Sequence, residues 1–60
     1  MRYWKVEFDC GCYSVLTGEI ESDARVGAVE DFSKRNPTLD LPDIAGVREL
    51  SREQYERGKP

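Results

Sequence analysis

Apolar and polar residues alternate with a period of two at the start of the chain. Trp4, Val6 and Phe8 fall on one side of this pattern, whereas Tyr3 and Glu7 fall on the other. Such alternation is typical of a strand with one buried and one solvent-facing side. The pattern therefore predicts a first β-strand whose tryptophan side packs into a core.

A tight turn and a return strand follow. Gly11 suits the turn because glycine tolerates the positive φ that short hairpin loops require. Residues 13–21 are rich in β-branched and aromatic side chains, which predicts the second strand of an antiparallel hairpin. Val15 and Leu16 are adjacent and both apolar, so we expect a bulge near Gly18 that lets both sides contribute to packing.

From Ser22 onward the apolar period becomes helical, which predicts a helix over residues 23–35. Ser22 or Asp23 is expected to cap it, since both side chains can accept hydrogen bonds from the first-turn amides. Gly27 lies beside the apolar face and would allow close approach to the sheet, and Pro37 ends the element. The apolar face consists of Ala24, Ala28, Val29 and Phe32.

Residues 44–50 can be read as a third strand or as a second helix. Gly46 costs about 1 kcal/mol relative to alanine inside a helix, so the strand is favoured. Leu39 and Leu41, in the preceding loop, are expected to cover the open end of the core. The result is a ββαβ fold with the helix packed on the apolar face of the hairpin.

The last part of the chain predicts a short helical turn. Ser51 and Gln54 have the spacing of a capping box, which indicates a turn of helix through Tyr55. A frayed tail is expected over about 57–60. No linker or repeat interrupts the sequence, so residues 1–60 are predicted to form a single small α+β domain.

The length of the chain limits its stability. A domain of 60 residues buries only about 60% of the surface that its unfolded chain exposes. Domains of this size usually gain stability from disulfides, a metal or a partner subunit. We expect a homodimer, formed by joining the sheet edges or the tyrosine-bearing faces of two copies.

The charge of the chain is mildly acidic, with nine lysine and arginine residues against twelve aspartate and glutamate residues. The excess lies in residues 1–30, which hold six acidic and three basic side chains. Nucleic-acid binding depends on clustered cations, and the one dense pair, Lys34 and Arg35, falls at a helix end where cations are expected anyway. The composition therefore favours a protein partner with a basic surface over nucleic acid.

The hydropathy of the chain argues against a membrane-spanning or secreted protein. No segment has the roughly 20 apolar residues that a membrane span needs, and no charged start precedes an apolar stretch as in a signal peptide. We therefore expect a cytoplasmic protein with no membrane partner. Cysteines in that compartment stay reduced by default.

Cys10 and Cys12 are the one constellation that could carry chemistry. Two thiols one residue apart can bind a soft metal, but zinc sites need four nitrogen or sulfur ligands, and the chain has no histidine and no other cysteine. A metal- or thiol-dependent module that uses Cys10 and Cys12 of two copies is an alternative function. Two free thiols at a turn are the simpler interpretation, so neither a metal nor a cofactor is predicted.

A candidate partner-binding site lies in the first part of the chain. Tyr3 and Tyr13 are expected to lie together on the outer face of the hairpin, and Glu7 to face Glu19 or Glu21 across it. Paired carboxylates act in acid–base catalysis only where a pocket separates their pKa values, and so short a chain rarely forms one. Histidine, the commonest general base, is missing, so no enzyme activity is predicted.

The overall layout consists of a hairpin, a helix opened by Glu21-Ser22-Asp23-Ala24, a break at Asn36-Pro37 and a final stretch ending in Glu49-Leu50. It resembles the plan of many small proteins of phages, plasmids and other mobile elements. That resemblance implies a protein that binds and blocks or redirects a larger host protein.

We therefore predict a non-enzymatic protein-binding module, an inhibitor or regulator that acts through its acidic face or a sheet edge. A small-molecule binder with a site between subunits is a further alternative. It would bind its ligand tightly enough for the complex to survive gentle purification.

Overall fold

A computed structural model describes residues 1–58, which form three strands and two helices. In chain order the elements are β1 (Arg2–Phe8), β2 (Tyr13–Gly18), α1 (Glu21–Arg35), β3 (Ile44–Leu50) and α2 (Arg52–Gly58). The antiparallel sheet and the helix packed on it confirm the predicted α+β class, and the third strand is confirmed at residues 44–50. The tail expected from residue 57 is still helical at Gly58, and residues 59–60 lie outside the described residues.

β1 is the central strand of the sheet, which has the order β2-β1-β3. Both neighbours run antiparallel to it, and Lys5 pairs with Val15 of β2 on one side and with Arg48 of β3 on the other. The two chain-adjacent strands therefore form the predicted hairpin. The third strand crosses over the sheet through α1 and lies at the far edge.

The bulge predicted near Gly18 is wrong. The register of β1 with β2 is unbroken, and the shift occurs just before Phe8, where β1 pairs with β3. Val15 and Leu16 both pack because each face of the sheet carries a helix. Leu16 packs against the core beneath α1, whereas Val15 faces α2, where a Cβ atom on Gly58 would lie 3.6 Å from Val15 Cγ2.

The core lies between α1 and the inner face of the sheet. It consists of Trp4, Val6, Phe8, Ala24, Ala28 and Phe32, with Leu16, Ile44 and Val47 packed around them. The ring centroids of Phe8 and Phe32 are 5.2 Å apart, within the range of favourable aromatic pairs. Gly27 allows the close approach that was predicted, since a Cβ atom there would lie 2.6 Å from Leu16 Cδ1. Val29 lies at the margin of this face and is half-buried.

The start of α1 differs from the prediction. Ile20 occupies the N-cap position, and no side chain caps the helix. The amides of Asp23 and Ala24 donate to the Ile20 carbonyl at 3.1 and 3.4 Å, so Ser22 and Asp23 already lie inside the first turn. The predicted cap by Ser22 or Asp23 is therefore wrong, although Glu21 and Asp23 in the first turn still complement the positive end of the helix dipole.

α2 is held against the outer face of the sheet. Ser51 and Gln54 form the predicted capping box, with the Gln54 amide 3.1 Å from Ser51 Oγ and the Ser51 amide 2.9 Å from Gln54 Oε1. The rings of Tyr55 and Tyr3 have centroids 4.7 Å apart. So short a helix is unstable alone, and these contacts fix it over Leu50, which is only 8% exposed.

The expectation that Leu39 and Leu41 cover the core is wrong. Their exposed fractions are 61% and 48%, and they lie in the loop that joins α1 to β3. Ile44 and Val47 of β3 pack against the buried cluster instead. The strand itself closes that end of the core, so the preceding leucines stay in solvent.

Replacing Phe32 with alanine is expected to lower the free energy of unfolding by about 3–5 kcal/mol, because it removes a buried ring and leaves a cavity. The matched control is Leu39→Ala, which should change it by less than about 0.5 kcal/mol at protein concentrations where the chain is monomeric, since the side chain is exposed in the single chain. Urea titration followed by Trp4 fluorescence measures both. A comparable loss in Leu39→Ala would contradict the placement of the loop.

Candidate functional site

The two outer strands of the sheet, β2 and β3, each leave alternate backbone groups unpaired. Two hydrogen bonds at the end of β1 fix which groups these are. The Phe8 amide donates to the Cys12 carbonyl, and the Asp9 amide donates to the Asp43 carbonyl, both at 2.9 Å. Even-numbered residues of β1 therefore bond to β2, and odd-numbered ones bond to β3.

The edge of β3 is the more open of the two. Val47 and Glu49 stand opposite even-numbered residues of β1, so their backbone N–H and C=O groups point away from the sheet. Within residues 1–58 no hydrogen bond reaches these groups. On the edge of β2, by contrast, the Tyr13 carbonyl accepts a hydrogen bond from the Arg35 guanidinium at 3.3 Å.

Apolar side chains lie on the inner face of β3 and in the loop before it. α1 packs chiefly on β1 and β2 and leaves the inner face of β3 partly uncovered. Ile44 and Val47 are half-buried there, and Leu39 and Leu41 are exposed in the loop that leads into the strand. We call these four residues the apolar strip. An apolar strip beside an unpaired strand edge is the usual form of a surface that another chain covers.

The end of the sheet away from the hairpin turn is held by Arg2. Its guanidinium donates to both carboxylate oxygens of Glu49, at 2.9 and 2.7 Å, and to the Glu19 carbonyl at 3.1 Å. It also lies over the Trp4 ring, 4.8 Å from the centroid. The hydrogen bonds from Arg2 hold the pKa of the Glu49 carboxyl below its ordinary value. The Glu49 side chain is thus engaged on the inner face while its backbone faces outward.

The acidic residues predicted to face each other lie apart. Glu7 stands opposite Tyr13 near the hairpin turn, and its carboxylate is 4.0 Å from Lys5 Nζ. Glu19 and Glu21 follow β2 at the other end of the sheet, where Glu21 pairs with the Arg25 guanidinium at 3.1 Å. The expectation that Glu7 faces Glu19 or Glu21 is wrong, because the return strand ends at Gly18, before either glutamate is reached.

Tyr3 and Tyr13 share the outer face but do not touch. The register places Tyr3 opposite Thr17 and Tyr13 opposite Glu7, toward opposite ends of the hairpin. Tyr3 packs on Tyr55, and Tyr13 lies beneath Lys5, whose Nζ is 4.7 Å from the ring centroid. The expected tyrosine-bearing face is therefore divided between a helix contact and a cation–π contact.

The outer face also carries basic residues that the sequence reasoning missed. Lys5 and Arg48 are cross-strand partners and, together with Arg57, line a cleft beside α2. Part of the signal was present, because a strand with Val47 turned inward must turn Arg48 outward. The pairing of β3 with β1 rather than β2 brings the two cations together, and no local pattern encodes that choice.

Cys10 and Cys12 lie at the hairpin turn as exposed free thiols, with Gly11 between them at φ 91°. The amide and then the thiol of Cys12 donate hydrogen bonds to the Cys10 sulfur, which lowers the pKa of Cys10. The same thiol contact raises the pKa of Cys12. Among the described residues no group of three or more histidine, cysteine or acidic side chains is placed to hold a metal ion.

The chain matches no protein-family model, and neither a curated protein nor a solved structure is significantly similar to it. Over residues 1–58, none of the helices has the length and apolar character needed to cross a membrane. The surfaces themselves are therefore the basis for inferring a function.

Iodoacetamide is expected to label Cys10 before Cys12 at mildly alkaline pH, because the thiolate is the reactive species and hydrogen bonds from Cys12 favour it at Cys10. Fragmentation of the singly labelled protein by mass spectrometry locates the label. The control is the urea-unfolded chain, in which the two positions should react alike. Equal labelling of the folded chain would contradict the hydrogen-bonded arrangement.

Proposed function

We propose that this chain is a non-catalytic protein-binding module that accepts a strand of its partner along the free edge of β3. The observation that carries the proposal is that β3 combines an open backbone edge with the half-buried Ile44 and Val47 on its inner face, and that exposed leucines lie in the loop before it. Backbone hydrogen bonds to an edge strand supply affinity, and side-chain contacts on the faces of the sheet supply specificity. β3 offers both on one side of the molecule.

The docking geometry follows from the pattern of backbone hydrogen bonds between β1 and β3. A partner strand would exchange backbone hydrogen bonds with Val47 and Glu49, which point away from β1. Its inward side chains would then contact Ile44 and Val47, which α1 leaves half-buried. Leu41 lies in the loop before Ile44, where it would extend the same contact. Covering these side chains stabilises the complex by removing apolar surface from water.

The same surface supports a homodimer. Two copies of β3 pairing antiparallel about a two-fold axis would join the two sheets into one and remove both exposed edges. Self-pairing and partner binding would then compete for one edge, which suits a small inhibitor or regulator of a larger protein. The resemblance to proteins of mobile elements and the net charge of −3 favour a cytoplasmic host protein as that partner over nucleic acid or membrane.

Glu49→Pro is expected to weaken both self-association and binding to a partner protein at least about tenfold. Proline removes an outward N–H from the edge and obstructs the approach of a strand, while edge strands tolerate it. The matched control is Glu49→Ala, which loses the same ion pair with Arg2 but keeps the N–H. Sedimentation velocity measures self-association, and affinity capture with each variant as bait compares the proteins retained.

Circular dichroism first establishes that both variants are folded. Retention of dimer and partner by Glu49→Pro to the same extent as by Glu49→Ala would place the interaction elsewhere on the chain. The acidic residues that the sequence nominated would then be tested next, by reversing Glu19 and Glu21 to lysine.

A second candidate is a thiol- or metal-dependent module, favoured by the hydrogen-bonded pair of exposed thiols at the turn. Two copies that meet at their hairpin turns would supply the four ligands that a zinc site needs. Replacing Cys10 and Cys12 with serine separates the two candidates. If the chain is a strand-edge module, the double serine variant should keep the unfolding midpoint and the partner capture of the wild type. A lower midpoint together with loss of partner capture would favour the thiol module.

A further inference from the structure

A cleft of about 220 Å³ lies on the outer face of the sheet, beside the C-terminal end of α2. Its apolar floor is formed by Val15 and Leu50, and its rim includes Lys5, Tyr13, Arg48 and Arg57. The cleft has room for roughly seven water molecules at about 30 Å³ each. That volume suits a small organic ion and falls short of the roughly 300 Å³ of a site for a drug-sized ligand.

The charge of the cleft is opposite to that of the chain. The net charge is −3, yet the described residues that line the cleft include three cations and no carboxylate. Lys5 and Arg48 are direct cross-strand partners on this face. Like charges directly opposite each other destabilise a sheet, so this pair needs a reason beyond folding.

The contacts of the three cations leave positive charge at the cleft. Arg57 is paired with the Glu53 carboxylate at 2.6 Å. Lys5 Nζ is 4.0 Å from the Glu7 carboxylate, at the limit of an ion pair, although its side chain is only 27% exposed. Arg48 makes no hydrogen bond or ion pair within residues 1–58. A partly buried cation is unfavourable unless it is well paired, so an anion between Lys5 and the exposed Arg48 would compensate the charge of Lys5 and reduce the repulsion between the two cations.

We propose that this cleft binds a small organic oxyanion, a carboxylate or a phosphate carried on a short apolar body. The Arg48 guanidinium can take two oxygens of such a group in a bidentate contact, and the Lys5 ammonium can take one from the other side. Tyr13 holds the Lys5 ammonium over its ring. The apolar body lies against Val15 and Leu50. The site is contained in one chain and forms without a strand bound at the edge of β3.

The test is thermal unfolding of the wild-type chain, Arg48→Gln and Arg52→Gln, each in phosphate, butyrate or chloride at equal ionic strength. An anion that binds only the folded chain raises the unfolding midpoint by mass action. Arg52→Gln is the matched control because Arg52 does not line the cleft, is 78% exposed and carries the same charge. Amide NMR shifts of the wild-type chain during the same titrations locate the anion.

Phosphate or butyrate is expected to raise the midpoint of the wild-type chain and of Arg52→Gln more than chloride does, and the more effective anion names the ligand class. In Arg48→Gln the anion affinity should fall at least about tenfold, since a charge-assisted contact is lost. Without added anion, Arg48→Gln should unfold at a higher temperature than the wild type, because the repulsion with Lys5 is gone. If Arg48→Gln is more stable than the wild type but binds the anion less tightly, Arg48 is retained for binding rather than for folding.

The proposal is overturned if neither phosphate nor butyrate exceeds chloride, or if Arg48→Gln responds as strongly as the wild type. Amide shifts spread over all basic surfaces rather than confined to the cleft would overturn it as well. Arg48→Gln keeps the outward backbone groups of Val47 and Glu49, so loss of anion binding without loss of association would separate the two proposals. Anion binding that survives in Glu49→Pro while association is lost would support both.

Discussion

The packing of β1 against α1 determines where every other element of this small chain lies. Trp4, Val6 and Phe8 project from one face of the strand into the buried cluster, and its backbone is bonded along both sides. The small residues Ala24 and Ala28 allow α1 to lie close to the sheet, and Gly27 has no side chain that would clash with Leu16. A chain of 60 residues has no apolar surface to spare for a second core, so the strand with the most buried side chains becomes the centre of the sheet.

That arrangement explains why β3 is left partly bare. A helix is about 10 Å across with its side chains, and strands lie about 4.8 Å apart, so one helix covers about two strands. α1 lies over β1 and β2, and only the margin of this helix contacts the inner face of β3. Ile44 and Val47 are consequently half-buried, and the leucines of the preceding loop find no surface to cover. The apolar strip is thus a consequence of sheet width.

Sequence periodicity predicted the features that lie within a single strand or helix. The alternation around Trp4 and the helical spacing up to Phe32 define faces within one element, and the capping box of Ser51 and Gln54 is closed within four residues, so all were predictable. The order of the strands is a different kind of information. It places Arg48 opposite Lys5 and so creates the basic pair on the outer face, which is why the cleft was missed. The hairpin register sets Glu7 opposite Tyr13, and the end of β2 at Gly18 leaves other acidic residues beyond the hairpin, so the predicted pairing of glutamates does not form.

The two proposed sites share β3 and are therefore expected to be coupled. Arg48 faces the cleft, while the backbone of Val47 and Glu49 on either side faces the open edge. A strand bound at that edge would place one of its own side chains beside Arg48 on the outer face. An acidic side chain there would compensate the same charge as a small anion and weaken its binding, whereas a basic one would strengthen it. The sign of this coupling would thus report the charge that the partner presents at that position.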